Sequence, residues 1–264
     1  MSAKGHWPWD CETCDNGFHT KDDADDHMDE EDHWSTECNT CDRQFDFQHS
    51  MAQHMIDNDH GQDTMASDMV RLWRSSKIYQ DIETIFDNKW YHDDKEGSIQ
   101  SIYFNRRYSY LFDQVPKGWR RYFHGTQRAC HVGRSGDYLN LCSKKACSLC
   151  GILRNGFKLP ERDGSNMFGG GIYSTSVSSK ANNYAWNHRI RSKLHGIILC
   201  LVYIGKFERL QQADNWKEAP AEGCSSVMGA TLDQGGVLQY NEAVVYNRSA
   251  ILPIGLIMYT RTPL

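Results

Sequence analysis

The sequence predicts an α+β fold: an antiparallel, two-sheet body preceded by two small metal-bound ββα units. Two observations carry this. From Gly196 onward, short runs rich in Val, Ile and Tyr are separated by Gly, Pro, Asn and Asp, with few helical patterns between them. That spacing suits antiparallel strands rather than a doubly wound sheet. At the other end, Cys11, Cys14, His27 and His33 recur as Cys38, Cys41, His54 and His60, every offset being 27 residues.

The N-terminal units come first. Each reads C-x2-C-x12-H-x5-H, so that a two-cysteine knuckle and two histidines on one helical face close a tetrahedral zinc site. Phe18 recurs as Phe45, supplying a small apolar core beside the metal, and Trp7 recurs as Trp34. A unit this small needs its ion to fold, which makes the zinc structural. Residues 1–60 hold three basic and sixteen acidic side chains, a balance of −13. The remaining 26 basic and 18 acidic side chains give the rest of the chain +8. At the base-reading positions of a DNA-binding finger stand Thr20, Asp23 and Asp26, then Phe47, Ser50 and Gln53. The first finger's acidic helix repels phosphate. The fingers are therefore expected to contact protein, or the chain's own basic body, while nucleic acid remains open to that body alone.

Residues 1–62 form the finger pair, 63–98 a helical connector and 99–264 the body. Ile78, Ile82, Ile85, Phe86 and Trp90 recur at helical spacing. Tyr91–Gly97 reads as a charged loop, Ile99–Tyr103 as a strand, Phe104–Leu111 as a short helix and Trp119–Phe123 as a strand running into His124. Ser178–His188 reads as a helix. Ile197–Ile204, Gly236–Tyr240, Ala243–Asn247 and Leu256–Tyr259 read as strands. No apolar run reaches membrane-spanning length, and no signal pattern opens the chain, so membrane attachment is not expected. In the reducing intracellular setting this implies, nuclear or cytoplasmic, clustered cysteines read as metal ligands. Cys130, Cys142, Cys147 and Cys150 form such a cluster, with His131 as a possible substitute for Cys130. The chain is thus expected to hold three zinc ions.

Three words stand in order along the body: His124-Gly125-Thr126, Phe168-Gly169-Gly170-Gly171-Ile172-Tyr173 and Asn241-Glu242-Ala243-Val244-Val245-Tyr246. With Gly151-Ile152-Leu153-Arg154-Asn155-Gly156-Phe157, Ser179-Lys180-Ala181 and Ser226-Val227-Met228-Gly229, they make residues 99–264 resemble the catalytic domain of the poly(ADP-ribose) polymerase superfamily, in its fungal type. The resemblance implies a split-sheet ADP-ribosyltransferase fold with a cleft for NAD. It implies transfer of ADP-ribose to a protein or nucleic-acid acceptor, with release of nicotinamide. His124, Tyr173 and Glu242 are the implied catalytic set, with Glu242 stabilising positive charge on the ribose. His124, Gly125, Thr126, Tyr173, Ser179, Lys180 and Tyr184 are the implied NAD contacts, the two tyrosines flanking the nicotinamide ring. Ala181 departs from the pattern: the family has serine there, whose hydroxyl bonds the carboxamide. That departure keeps open an NAD- or ADP-ribose-binding pseudo-enzyme, and an NAD glycohydrolase is a further reading because water can replace the acceptor. The acceptor loop is expected near Gln211–Gly236. Neither the acceptor nor the choice between mono- and poly-ADP-ribosylation is legible.

Overall fold

The computed structural model describes residues 9–10, 17–20, 23, 27, 36–37, 44–45, 69–111, 115–134, 138–160 and 164–263. The chain divides into two compact units, Met1–Ala66 and Ser67–Leu264.

In the first unit, β1 (Trp9–Asp10) pairs antiparallel with β2 (Gly17–Phe18), and β3 (Thr36–Glu37) with β4 (Gln44–Phe45). The partners Trp9↔Phe18 and Thr36↔Phe45 repeat at the offset of 27 residues that the sequence carries. Asp23 and His27 are helical, and the Thr20 hydroxyl accepts a hydrogen bond from the Asp23 amide at 3.1 Å. That is how a threonine satisfies the free amides at a helix start. Of the eight expected finger ligands, only His27 falls within the described residues; Cys11, Cys14, His33, Cys38, Cys41, His54 and His60 lie outside them.

The second unit carries two sheets. Its strands are β5 (Met69–Leu72), β6 (Lys95–Asn105), β7 (Trp119–Gly125), β8 (Tyr138–Leu139), β9 (Ile172–Ser174), β10 (Leu194–Tyr203), β11 (Phe207–Leu210), β12 (Ser226–Gly229), β13 (Glu242–Val245) and β14 (Ile251–Pro263). The larger sheet runs β7-β10-β14-β6-β5-β8, with every neighbouring pair antiparallel. The smaller runs β11-β12-β13-β9 and has one parallel pair, β11 with β12. Ile197 through Val202 on β10 and Leu256 through Tyr259 on β14 are all buried, which explains why these strands read as unbroken apolar runs. Where the sheets meet, Phe123 and Thr175 exchange backbone hydrogen bonds of 2.7 and 3.0 Å.

Among the described residues of this unit, three α-helices pack around the sheets: α1 (Lys77–Asp87), α2 (Ser148–Asn155) and α3 (Ser178–Asn182). Ser76 caps α1 by accepting from the Tyr79 amide, and Tyr79, Ile82 and Phe86 form its buried face. No helix among the described residues is long and apolar enough to cross a membrane.

The elements depart from expectation in five places. The stretch read as a helical connector holds a strand, because Met69–Leu72 pairs with Ile102–Asn105. Lys95–Gly97 is strand rather than loop, paired to Arg261–Pro263, with the Trp90 indole donating to the Lys95 carbonyl. Phe104 and Asn105 complete β6, and only Arg106–Leu111 turns as 3-10 helix. The helix from Ser178 stops at Asn182. Beyond it Arg128 draws the chain into a bridge with Asn187 through the Trp186 carbonyl and His188 amide, and Arg189 takes φ 53°. Gly236–Tyr240 is a turn rather than a strand: Gly235 sits at φ 75° and Leu238 pairs back only to Thr231.

Candidate active site

The Phe123–Thr175 bridge sets the site. Its partners carry their successors and predecessors together, so that His124 on β7 faces Tyr173 on β9. The His124 Nδ1 lies 2.8 Å from the Tyr173 carbonyl, and the ring meets Phe157 edge-on at 5.0 Å. Burial holds the His124 pKa below its ordinary value, against the opposing pull of the Tyr173 carbonyl. The imidazole is therefore neutral at pH 7, with Nδ1 donating and Nε2 left as an acceptor.

Gly125 ends β7 against α3. A Cβ there would collide with the carbonyl oxygen of Ala181. The glycine is required first by this neighbouring helix, and the bare backbone also faces the cavity. Tyr173 points its hydroxyl at the glycine loop, accepting from the Phe168 amide at 2.8 Å and donating to the Gly169 carbonyl at 3.0 Å. Burial, reinforced by the Glu242 charge, pushes its phenol up to about 12, so it stays protonated and able to donate. Gly169 has φ 69°, and a side chain would strike the Lys217 backbone. The glycine run thus makes a packed turn rather than a phosphate loop.

Glu242 opens β13 and is 8% exposed. Its Oε1 lies 2.8 Å from Lys180 Nζ, which also donates to the Tyr240 carbonyl at 3.1 Å. Asn241 fixes this corner: its side-chain oxygen receives the Ser176 amide at 3.2 Å, and its Nδ2 donates to the Ser176 hydroxyl at 2.7 Å. The strand therefore starts in one orientation, with the carboxylate facing the cleft.

His124, Gly125, Tyr173, Lys180, Tyr184 and Glu242 line one cavity of about 290 Å³, with Ala181 in its wall. Tyr184 is 57% exposed at its mouth. A second cavity of about 750 Å³ joins it at His124, Asn166 and Tyr173, and Thr126 lies there. Ser179 enters neither cavity. It is 1% exposed, and its hydroxyl accepts from the Tyr91 amide at 3.0 Å and reaches the Lys89 carbonyl at 3.5 Å. With Ser178 Oγ donating to the Phe86 carbonyl at 2.6 Å, it fastens the helix that carries Lys180 to the end of α1. Ser179 is turned away because it precedes Lys180 by one helical position, about 100° round the axis.

Sequence reasoning missed the basic lining of the larger cavity. Lys144, Lys145, Arg154 and Lys158 face it, and no Asp or Glu is among its described lining residues. Their spacing gave no signal, since they come from a loop, a helix and the segment after it.

The four-cysteine cluster is brought together. The ligand atoms of Cys130, Cys142, Cys147 and Cys150 all lie within 4.8 Å of one another, and this group could hold a metal ion. Cys130 Sγ is 3.6 Å from Cys147 Sγ and 3.5 Å from Cys150 Sγ. A tetrahedron with metal–sulfur bonds of about 2.3 Å would set sulfurs roughly 3.8 Å apart. The Cys147 thiol is pushed well down by hydrogen bonds, first from the Cys130 and Cys150 thiols and then from backbone amides. Arg128, 1% exposed, sits beside the cluster and is bonded to the Cys130 and Leu194 carbonyls. His131 is exposed and outside the group, so Cys130 is the ligand candidate of the two.

Compared with known families, residues 143–235 match the poly(ADP-ribose) polymerase catalytic domain. The match covers about a third of the chain. It contains Tyr173, Ser179, Lys180 and Tyr184, while His124, Gly125 and Glu242 lie on either side of it. A comparison with curated proteins finds no match.

Proposed function

We propose that this protein is an NAD-dependent ADP-ribosyltransferase, which moves ADP-ribose to a protein or nucleic-acid acceptor and releases nicotinamide. One observation carries the reading. Glu242, a nearly buried carboxylate, shares a cavity with His124, Gly125, Tyr173 and Tyr184, beside a larger basic cavity. NAD supplies a glycosidic bond to a cationic leaving group, and its cleavage puts positive charge on the ribose carbon. Glu242 lies within the site to stabilise that charge as it develops. Lys180 holds the carboxylate in place and neutralises it before substrate arrives. Tyr173 forms a wall fixed by its hydroxyl bonds and Tyr184 an exposed one at the mouth, both suited to stacking on an aromatic ring. His124 offers Nε2 to a ribose hydroxyl. The Gly125 backbone and Thr126 offer polar groups at the junction of the cavities. Ser179 is a positioning residue, which fixes the helix bearing Lys180.

Three structural zinc ions belong to this reading: one at Cys130, Cys142, Cys147 and Cys150, and two in the fingers. The acidic fingers suit protein contact and not duplex DNA, whereas the basic body leaves nucleic acid open as a partner. Residues 1–62 should show no tight, salt-dependent binding to a DNA duplex.

Ala181 favours a second reading, a domain that binds NAD without transfer, because no serine hydroxyl stands there for the carboxamide. Nicotinamide release at saturating NAD separates the two. The transferase reading expects release by the wild type, and a fall of about a hundredfold or more in Glu242→Gln. Equal rates in both would end the assignment of Glu242. NAD binding without release from either would establish the second reading. Mass spectrometry of the protein, an added nucleic-acid mixture and free ADP-ribose then identifies the acceptor, or water.

A further inference from the structure

We infer that the four-cysteine metal site is part of the dinucleotide cleft: it holds the basic wall of the larger cavity, so metal loading sets affinity for the diphosphate-bearing half of the ligand. This rests on the reading of the cleft as an NAD site. The wall is the loop from Cys142 to Cys147, and Lys144 and Lys145 lie between those two ligands. Between its two cysteine ends the loop is fixed by a few hydrogen bonds and not by a sheet or helix. It forms no helix or strand between Leu139 and Ser148. Its backbone is held by a turn from the Cys147 amide to the Lys144 carbonyl and by Gln127 donating to the Ala146 carbonyl at 2.6 Å, while Arg154 donates to the Leu141 and Cys142 carbonyls at its start and Lys144 Nζ reaches the Ala129 carbonyl at 3.4 Å. Lys144, Lys145 and Ala146 are exposed, so burial does not fix them either.

The cluster, by contrast, ties three separate pieces of chain. Cys130 follows β7, Cys142 opens the loop, and Cys147 and Cys150 flank the start of α2. A metal at the four sulfurs would close the loop at both ends and dock it on the segment that follows the strand carrying His124. Without the ion, the thiol contacts of Cys130 with Cys147 and Cys150 remain, but the bond that would tie Cys142 to them is gone. The loop then loses its position, and with it two lysines that line a cavity with no carboxylate among its described lining residues. The smaller cavity is built by β7, β9, β13 and α3, and includes none of the four cysteines. The two halves of the cleft should therefore differ in their dependence on the metal.

The test uses full-length protein and two probes, ADP-ribose for the charged half and nicotinamide for the other. Both are measured by calorimetry, with zinc per chain measured on the same samples. Cys142→Ala is expected to lose one zinc per chain and to weaken ADP-ribose binding about tenfold or more, while nicotinamide binding changes less than about twofold. Cys142→His, which restores a zinc ligand, should recover both zinc and ADP-ribose affinity. Lys144→Gln/Lys145→Gln should lose ADP-ribose affinity with its zinc intact, and this arm holds even if Cys142→Ala fails to fold. Loss of zinc with unchanged ADP-ribose binding overturns the proposal, as does unchanged binding in the double lysine variant. A wild type that holds zinc and binds neither probe overturns the NAD reading and this inference with it. A wild type that binds both, with variants like it, overturns this inference alone.

Discussion

Lys180 Nζ and Glu242 Oε1 lie 2.8 Å apart, with both side chains nearly buried, at 12% and 11% exposure. Lysine is thus not simply one more ligand contact. It comes from α3, the carboxylate from the first residue of β13, and the pair closes the corner where helix and sheet meet. Removing one partner of such a pair leaves the other charge partly desolvated. Lys180→Met should therefore destabilise the protein by more than the Lys180→Met/Glu242→Gln double variant does. The coupling expected in a double-mutant cycle is on the order of 1 kcal/mol. Denaturant midpoints of the four proteins measure it. Additive effects would mean that the pair contributes nothing to stability.

The backbone contact between Gly125 and Ala181 gives a second prediction. Gly125→Ala puts a methyl group into the Ala181 carbonyl, and both partners are backbone, so neither can swing aside. The variant should lose at least about 1–3 kcal/mol, the range for overpacking a tight site. Gly151 is the control. It lies inside α2, and a Cβ there meets nothing within 4 Å. Gly151→Ala should stabilise by about 0.5–1 kcal/mol through helix propensity. Thermal melting of the two variants should move in opposite directions. A neutral Gly125→Ala would show that β7 and α3 do not approach as closely as described.

The Tyr173 hydroxyl separates two duties of one side chain. The ring lines the small cavity, while the oxygen satisfies the Phe168 amide and the Gly169 carbonyl. Tyr173→Phe keeps the ring and leaves a buried N–H unpaired, at a cost of about 1–3 kcal/mol. Stability should fall with nicotinamide binding nearly intact, whereas Tyr173→Ala should lose both. If Tyr173→Phe lost binding at unchanged stability, the hydroxyl would be acting on the ligand and not on the loop.

These contacts mark what was legible in the sequence. His124, Gly125, Tyr173, Lys180 and Glu242 stand in words whose spacing is visible, and with Tyr184 they line one cavity. The four cysteines were legible for a similar reason: C-x2-C across the first turn of α2 fixes two sulfurs locally, and two more fall within reach. Long strands were legible where burial on both faces makes them apolar throughout, as in β10. What was hidden depends on pairing across distance. Met69–Leu72 is too short to show a period and becomes a strand only because β6 lies beside it. Ser179 sits in a motif word, yet its hydroxyl is taken by Tyr91 and Lys89, about ninety residues earlier in the chain. The helical pattern to His188 was real as composition, but Arg128 competes for its backbone and wins.

Acid should weaken the fold, with His195 as a main cause. Its ring lies against Tyr259 at 5.8 Å and 3.3 Å from the Ala185 carbonyl, with the Arg261 guanidinium donating to that same carbonyl. Burial first, then the Arg261 charge with a smaller effect from Arg128, pushes its pKa down to about 4, against the opposing Ala185 bond. His92 and His124 are held down in the same direction, each chiefly by burial. The unfolded chain takes up a proton near pH 6.5, whereas the folded chain resists until about 4. Between those values the unfolded state binds more protons, so stability falls as pH falls. Below the folded value both states are protonated and this loss ends. His195→Gln keeps a donor for the Ala185 carbonyl and has nothing to titrate. Its melting temperature should therefore decline less steeply than that of the wild type from pH 7 to pH 4.5, even if it starts lower. The difference between the two curves isolates His195 from any loss of metal, which would affect both proteins alike. Parallel curves would mean that His195 is protonated at the same pH in the folded and unfolded chains, and that the packing against Tyr259 and Arg261 does not shift it.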